Sequence, residues 1–556
     1  MTMPARTGRA RGRRGAGILS LLPSAADYRA LPRTWRGDLL AGVTAGIVAL
    51  PLALAFGVSS GAGAESGLIT AIIAGVVAAV FGGSNVQVSG PTGAMVVVLA
   101  PIIAAHGRGA LALVCLFAGL IVLAAGVLRL GRTVSYIPWP VIEGFTLGIA
   151  VIIFLQQVPT ATGSHGHSTN AAVAAVETLR AAQWPKLGWS LLLVAIVVVV
   201  MLLSLRIHPR FPGSLVAIAI AAVVAAVSGM PVDTIGRLPP GLPAPVLPSF
   251  DLATVSALIG PAVAVAALAA IESLLSARVA ATLADTGPYD ADRELVGQGL
   301  ASVAAGLFGG MPATGAIART AVGVRAGART RVAAIVHGVL LLLIVLVGSA
   351  VVSRIPLAAL AGVLMVTACR MIAPRTVRTI LRASRSDAVV FCLTAIVTVS
   401  VDLIYAVLIG LLVAGFFALR QMARTSGVHR EELPGAAQPG DERIAVFRLE
   451  GALFFGAAER TLERVAGLRD VEVVILRMSQ LQLLDATGAQ VITELIASLE
   501  RRGITVLVKG IRPDHRGIAE RVGVIASLRH RNHLFEDLGS AVAHARSHVV
   551  RGPGVL

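Results

Sequence analysis

From Asp38 to about Leu419 the chain is almost continuously apolar, with polar punctuation at intervals that leave room for helix after helix. A spanning helix needs about 20 residues, so the stretch holds about fourteen spans, some of them short or broken. A backbone in hydrocarbon has no water to bond to, and consecutive helices are the solution such a run permits. Composition agrees: 56% of residues are hydrophobic, 14% are charged and the mean hydropathy is +0.83. The sequence therefore predicts an α-helical polytopic membrane protein. The net charge of +17 invites a nucleic-acid reading. The arginines, however, lie in short runs between apolar spans, where cytoplasmic loops meet anionic headgroups, so membrane lipid is the expected partner and nucleic acid is not.

Those arginines set the orientation. Arg29, Arg33 and Arg36 precede the first span, Arg129 and Arg132 follow the fourth, and Arg206 and Arg210 follow the sixth. Arg325, Arg329 and Arg331 follow the tenth, and Arg375, Arg378, Arg382 and Arg385 the twelfth. Every second loop is basic, which places both termini in the cytoplasm. The opposite loops at 59–67, 159–187 and 229–254 carry few cations, and the last, rich in proline, separates two halves of about seven spans each. The expected organisation is a disordered basic arm (1–30) without a signal peptide, a transmembrane domain (31–424), a linker (425–442) and a small cytoplasmic α/β domain (443–548). In that domain Arg443–Leu449, Val471–Leu476 and Thr505–Val508 read as strands, and Ala457–Leu468 and Thr487–Leu499 as helices. Cys115, Cys369 and Cys392 lie in or beside apolar spans without paired spacing, which indicates neither a disulfide framework nor a zinc site. No cofactor is expected.

One short message occurs twice. Phe81-Gly82-Gly83 leads to Pro91-Thr92-Gly93-Ala94, and Phe308-Gly309-Gly310 leads to Pro312-Ala313-Thr314-Gly315-Ala316, with the two threonines 222 positions apart (314 − 92). Gly- or Pro-broken spans in matching places of two halves point to the binding site of a secondary transporter. Val86–Ser89 alternates like a strand, and beyond Pro91 only a short helix fits. The free N–H groups and dipole of such a helix start make an anion cradle, so Thr92, Gly93, Ala94, Thr314, Gly315 and Ala316 are the candidate anion ligands. Small residues that serve only as helix-packing surfaces explain one copy better than two.

Glu272 is the lone acid of Val263–Leu275, with Ser276 on the same helical face. An intramembrane carboxyl is costly, hence a candidate coupling group: taking up a proton would offset the charge of an incoming anion. Arg319 either adds positive potential behind the anion or snorkels to the cytoplasmic surface. Glu143 and Asp402 read as helix ties, His337 as a packed neutral histidine, and His165 with His167 as a weak metal pair. Thr487 is placed at a helix start, as a phosphorylation or phosphate-binding hydroxyl or as an ordinary cap. No nucleophile–base pair, phosphate loop or metal cluster suggests an enzyme.

The segments Gly37-Asp38-Leu39-Leu40-Ala41-Gly42-Val43-Thr44-Ala45-Gly46, Ala49–Gly57, Val88–Ala94 and Glu294-Leu295-Val296-Gly297-Gln298-Gly299 resemble the sulfate permease (SulP) family, and the region around Leu484–Gly488 is similar to its STAS domain. The resemblance implies fourteen transmembrane segments in a seven-plus-seven inverted repeat of the uracil-permease-like fold, followed by a cytoplasmic STAS domain. It also implies a core moving against a gate in elevator fashion, a homodimer in the bacterial inner membrane, and anions such as sulfate, bicarbonate or dicarboxylates. The first half most resembles BicA-type sodium–bicarbonate symporters. Those have Asp where this chain has Glu272, Thr at Ser276 and Ile317, and no cation at Arg319, where sulfate-type members carry arginine. Glu272 with Arg319 therefore resembles the proton-coupled branch, with sodium-coupled bicarbonate uptake and a passive channel or STAS-centred sensor as the alternatives. The anti-sigma-antagonist pattern has Ser where this chain has Thr487.

Overall fold

The apolar run becomes mostly helical, because a helix satisfies its own backbone, and is broken at two short strands that satisfy each other. The structure, a computed structural model, describes residues 21–164, 168, 170–207, 212–239, 241–248, 252–401, 403–454 and 470–551. The chain divides into two compact units, Met1–Leu411 and Leu412–Leu556.

The first half of the membrane region contains α1 (Leu31–Ser59), α2 (Ala64–Phe81), strand β1 (Ser89–Gly90), α3 (Gly93–His106), α4 (Ala110–Val127), α5 (Trp139–Thr162), the short α6 (Ala171–Ala181), α7 (Lys186–Ile207) and α8 (Gly213–Val227). The second half repeats the order with α9 (Leu252–Leu283), α10 (Ala291–Leu307), strand β2 (Thr314–Gly315), α11 (Ile317–Ala326), α12 (Val332–Val352), α13 (Leu357–Met371), the amphipathic α14 (Pro374–Ala383), α15 (Arg385–Ser400) and α16 (Leu403–Thr425). Leaving out α6 and α14, each half of the described residues contributes seven membrane segments. At 14 and 10 residues, α3 and α11 are about 21 and 15 Å long, too short to cross the bilayer alone. Each is preceded by a short strand within the same apolar segment.

The spans pack in two groups. In one, α4 lies on α10, α1 on α12, α10 on α2, and α9 against α4, α10 and α11. In the other, α5 packs on α13 and α15, and α7 on α8 and α13. Two buried carboxylates brace the first group. Asp38 near the start of α1, with no exposed surface, accepts the Arg329 and Thr330 amides at 2.7 and 2.9 Å and the Thr34 and Thr330 hydroxyls at 2.7 and 2.8 Å. It thereby occupies donors at the start of α12, where negative charge is favoured. Glu294 on α10 accepts the Gly83 and Ser84 amides at 2.8 and 3.0 Å, while Gln298 one turn on donates to Glu294 at 2.9 Å and to Ser89 at 2.6 Å. The Phe-Gly-Gly turn is small because a Cβ at Gly83 would lie 1.9 Å from the Asp290 carbonyl oxygen and 2.8 Å from the Glu294 nitrogen. The second copy is held differently: the Thr70 hydroxyl, in a π-helical turn of α2 (Thr70–Ala74), accepts the Met311 amide at 2.7 Å and shares its own proton between the Ser66 carbonyl at 2.7 Å and the Met311 carbonyl at 3.1 Å.

Part of the expected disordered arm is ordered: Ala25–Tyr28 forms a 3-10 turn, and Asp27 takes a bidentate bond from Arg293 at 2.7 and 3.1 Å. Burial pushes the Asp27 carboxyl up, but Arg293, the Ser24 amide and the charge of Arg331 outweigh it and hold it below the usual carboxylate range. Residues 1–20 lie outside the described residues.

In the C-terminal unit, β3 (Gly427–Glu431), β4 (Ile444–Leu453), β5 (Val473–Leu484), β6 (Thr505–Lys509) and β7 (Leu534–Phe535) form one sheet in that order, antiparallel between β3 and β4 and parallel elsewhere. The segment read as a linker thus contains an edge strand, whose polar composition suits an edge rather than a buried position. Successive strand residues face opposite ways. Val474, Leu476, Val506 and Val508 pack with α17 (Ala486–Arg501) and α18 (Pro513–Val522), whereas Val473, Ile475 and Leu507 pack with α19 (Leu538–Arg551). The expected helix at 457–468 lies outside the described residues.

Gly83→Ala is expected to lower stability by on the order of 3 kcal/mol, since the methyl meets fixed backbone. Gly415→Ala, where a Cβ meets nothing within 4 Å, should be neutral or slightly stabilising. Thermal unfolding of the two variants in detergent checks the pair, and equal midpoints would contradict the packing account.

Candidate anion-binding site

The two copies of the doubled message meet. Strands β1 and β2 pair antiparallel, Ser89 opposite Gly315 and Gly90 opposite Thr314, so each broken span supplies the other with backbone partners that its own helix lacks. Side chains complete the crossing. The Val88 amide donates to Thr320 Oγ1 at 3.0 Å, the Ala316 amide to the Val88 carbonyl at 2.9 Å, the Gly315 amide to Ser273 Oγ at 3.1 Å, and Gln87 Nε2 to the Ser273 carbonyl at 3.3 Å. Gly315 has no room for a side chain, because a Cβ would lie 1.7 Å from Gln87 Nε2 and 3.0 Å from Ser276 Cβ.

Glu272 joins the two halves from α9. Its Oε2 accepts the Thr92 hydroxyl at 2.8 Å and the Thr314 hydroxyl at 2.9 Å, and the two hydroxyl oxygens are 3.0 Å apart. Each hydroxyl has one proton to give; with both directed at the carboxyl, one oxygen ties together the starts of α3 and α11. Thr92 is the N-cap residue of α3, yet its side chain does not cap that helix. Its bond to Glu272 leaves the first-turn amides of Gly93, Ala94 and Met95 without a partner within the helix.

The second cradle differs from the sequence expectation. The helix starts at Ile317, not Thr314, and the Gly315 and Ala316 amides are already engaged by Ser273 and Val88. The Ser273 hydroxyl takes the first and the Val88 carbonyl the second, so the first-turn amides of α11 are those of Ile317, Ala318 and Arg319. Arg319 does not snorkel. It is 2% exposed, it donates through Nη2 to the Pro91 carbonyl, and its Nη1 is buried without an acceptor, packed where a Cβ on Gly90 would lie. Ser276 Oγ is also buried without a partner. Ile317 is 42% exposed and takes no part in the cluster.

Other sequence candidates fall elsewhere. His337 is fully buried with both ring nitrogens unpartnered among the described residues, and Glu143 accepts the Trp139 indole N–H at 3.0 Å. Thr487 is exposed in the first turn of α17, but the cap is Asp485, whose carboxylate accepts the Gly488 amide at 2.7 Å. Asp402, His165 and His167 lie outside the described residues. Sequence reasoning missed Gln87, Ser273 and Thr320, which hold the crossing together; the signal for Gln87 was a lone amide in the apolar Val86–Val88 run.

Paired half-helices inside two matching halves are an arrangement found in secondary transporters. Residues 35–394 match the profile of the sulfate permease family and residues 436–541 that of the STAS domain. The chain is 35% identical to YvdB of Bacillus subtilis, over 82% of this chain and 88% of that one. It is 30% identical to the bicarbonate transporter BicA of Synechocystis, over 92% and 94%. The structure of the murine Solute Carrier 26 family member A9 anion transporter in the inward-facing state superposes with a TM-score of 0.83 over 97% of each chain at 18% identity, a likeness of fold. The chain belongs to the sulfate permease family: it is a polytopic membrane anion transporter with a C-terminal STAS domain, and not an enzyme.

Asp485→Ala should remove about 1 kcal/mol from the start of α17 and speed amide exchange there about fivefold, while Thr487→Ala leaves it unchanged. Hydrogen exchange read by mass spectrometry distinguishes them, and an equal effect of both would assign the cap wrongly.

Proposed function

We propose that the protein is a proton-coupled symporter of a small anion, with sulfate, a C4-dicarboxylate such as fumarate, and bicarbonate as the candidates. The observation that carries this reading is the Glu272 carboxyl bound to both Thr92 and Thr314 where the two half-helices start. The anion is held by the first-turn amides of α3 and α11, with the buried Nη1 of Arg319 as charged donor. Gly93 and Ala94 let it approach the backbone. Two negative charges about 6 Å apart repel by about 3 kcal/mol at an effective dielectric of 20, roughly a hundredfold in affinity. A proton on Glu272 removes that penalty and leaves the threonine bonds in place, so anion and proton bind together. Release of either weakens the other by the same factor.

The two helix groups support an elevator-type motion, in which the group carrying the site moves against the α5, α7, α8, α13 and α15 group. The basic loops support a bacterial inner-membrane location with both termini cytoplasmic, and the family resemblance supports a homodimer. Thr487, exposed at a helix start, is the proposed regulatory hydroxyl. Sodium-coupled bicarbonate uptake is the second reading, favoured by the oxygens of Glu272, Thr92, Thr314 and Ser276; the buried charge of Arg319 opposes a cation there.

Reconstituted in liposomes, the protein should accumulate sulfate or fumarate when the interior is alkaline, and a sodium gradient at constant pH should drive no uptake. Glu272→Gln, a mimic of the protonated carboxyl, should lose pH-driven accumulation while retaining anion exchange. Intact pH-driven uptake in that variant would sink the proton assignment, and sodium-driven uptake would establish the second reading. Arg319→Met should raise the half-saturating anion concentration ten- to a hundredfold, the range for losing one charge-assisted bond. An unchanged value would remove Arg319 from the site.

A further inference from the structure

We propose that the C-terminal unit carries a binding site for one divalent transition-metal ion of the zinc type, held by His533, His544 and His548. The three side chains come from two elements. His533 ends a 3-10 turn (Arg531–His533) just before β7, and His544 and His548 are four apart on α19, hence on one helical face. Their ligand atoms all lie within 4.8 Å of one another, and the Nε2 atoms of His544 and His548 are 3.2 Å apart. A tetrahedral zinc with bonds of about 2.0–2.1 Å sets its nitrogens about 3.3–3.4 Å apart, so that pair already stands at ligand spacing and small rotations bring in the third.

The ring geometry agrees. The His533 ring meets those of His544 and His548 at centroid distances of 5.5 Å and interplanar angles of 62° and 85°, and the latter two meet at 4.9 Å and 74°. The rings thus meet at steep angles and do not stack in parallel. His533 is 2% exposed, and its Nδ1 is buried without a hydrogen-bond partner. A buried polar nitrogen left unmatched is costly, and ligation of an ion through Nδ1 would satisfy it. Three imidazoles without a thiolate or carboxylate select Zn²⁺, Cu²⁺, Ni²⁺ or Co²⁺ over Mg²⁺ or Ca²⁺. A water fills the fourth position, as in open three-histidine sites. The ring of His530 lies 5.4 Å from that of His533, beside the cluster. The bound ion ties α19 to the turn that leads into β7 and so fixes the last helix against the sheet.

The test uses the full-length protein in detergent, purified through a tag without histidines and stripped with chelator. After equilibration with Zn²⁺ and removal of free ion, elemental analysis should find about one zinc per chain, and Co²⁺ in its place should give the visible absorption of a low-coordinate site. His533→Phe and the double variant His544→Asn/His548→Asn should each bind at least tenfold more weakly. In the wild type, zinc should slow hydrogen exchange in α19 and in Arg531–Phe535, a readout that needs no variant to fold. Wild-type protein that retains no zinc and shows no slowing, or variants that hold it as tightly as the wild type, would reduce the cluster to aromatic packing and overturn the proposal.

Discussion

The membrane unit depends on one backbone pairing, that of β1 with β2. Two spans break near the middle of the bilayer, where an unpaired N–H or C=O has no water to turn to, and each break supplies what the other lacks. Much of the sequence around the breaks serves this crossing. Gly315 leaves space for Gln87, Thr320 receives the Val88 amide, and Ser273 receives that of Gly315. Because Ser273 and Val88 take the amides of residues 315 and 316, the second half-helix begins just beyond the crossing, and Glu272 bonds the threonine that precedes each half-helix.

Buried charges set how rigid that place is. Glu294 and Gln298 clasp the first Phe-Gly-Gly turn and reach on to Ser89, and Asp38 ties α1 to the start of α12. Removing one partner of such a cluster strands the others in a low dielectric, so these positions have little freedom to vary. Glu272 differs in kind: its oxygen is bonded only to hydroxyls, which can donate to a carboxylate or rearrange around a carboxylic acid. It can change charge without dismantling the crossing, which suits the coupling role proposed for it.

The membrane class, the two halves and the doubled motif were legible because hydrophobic run length and repeated Gly, Pro and Thr positions are local signals. Glu272 was legible as the single acid of its span. What sequence could not give was the three-dimensional use of each donor. Nothing local says that Gly315 and Ala316 give their amides to Ser273 and Val88, or that Arg319 turns inward to Pro91 when an exit to the surface was open to it. The same limit hid the role of Asp485, because Thr487 and Asp485 are both good capping residues and only the geometry shows which one reaches Gly488. The strand within the expected linker escaped because an edge strand can be polar on both faces.

The central claim is that anion and proton are bound together through Glu272, and proton uptake on anion binding tests it most directly. Sulfate, which does not titrate near neutrality, is added to purified protein in a weakly buffered solution at pH 7 with an indicator dye. The account predicts that the wild type takes up protons in proportion to the sulfate bound, and that Glu272→Gln binds sulfate with no proton uptake. Equal proton uptake by both proteins, or sulfate binding to the wild type without any, would contradict it.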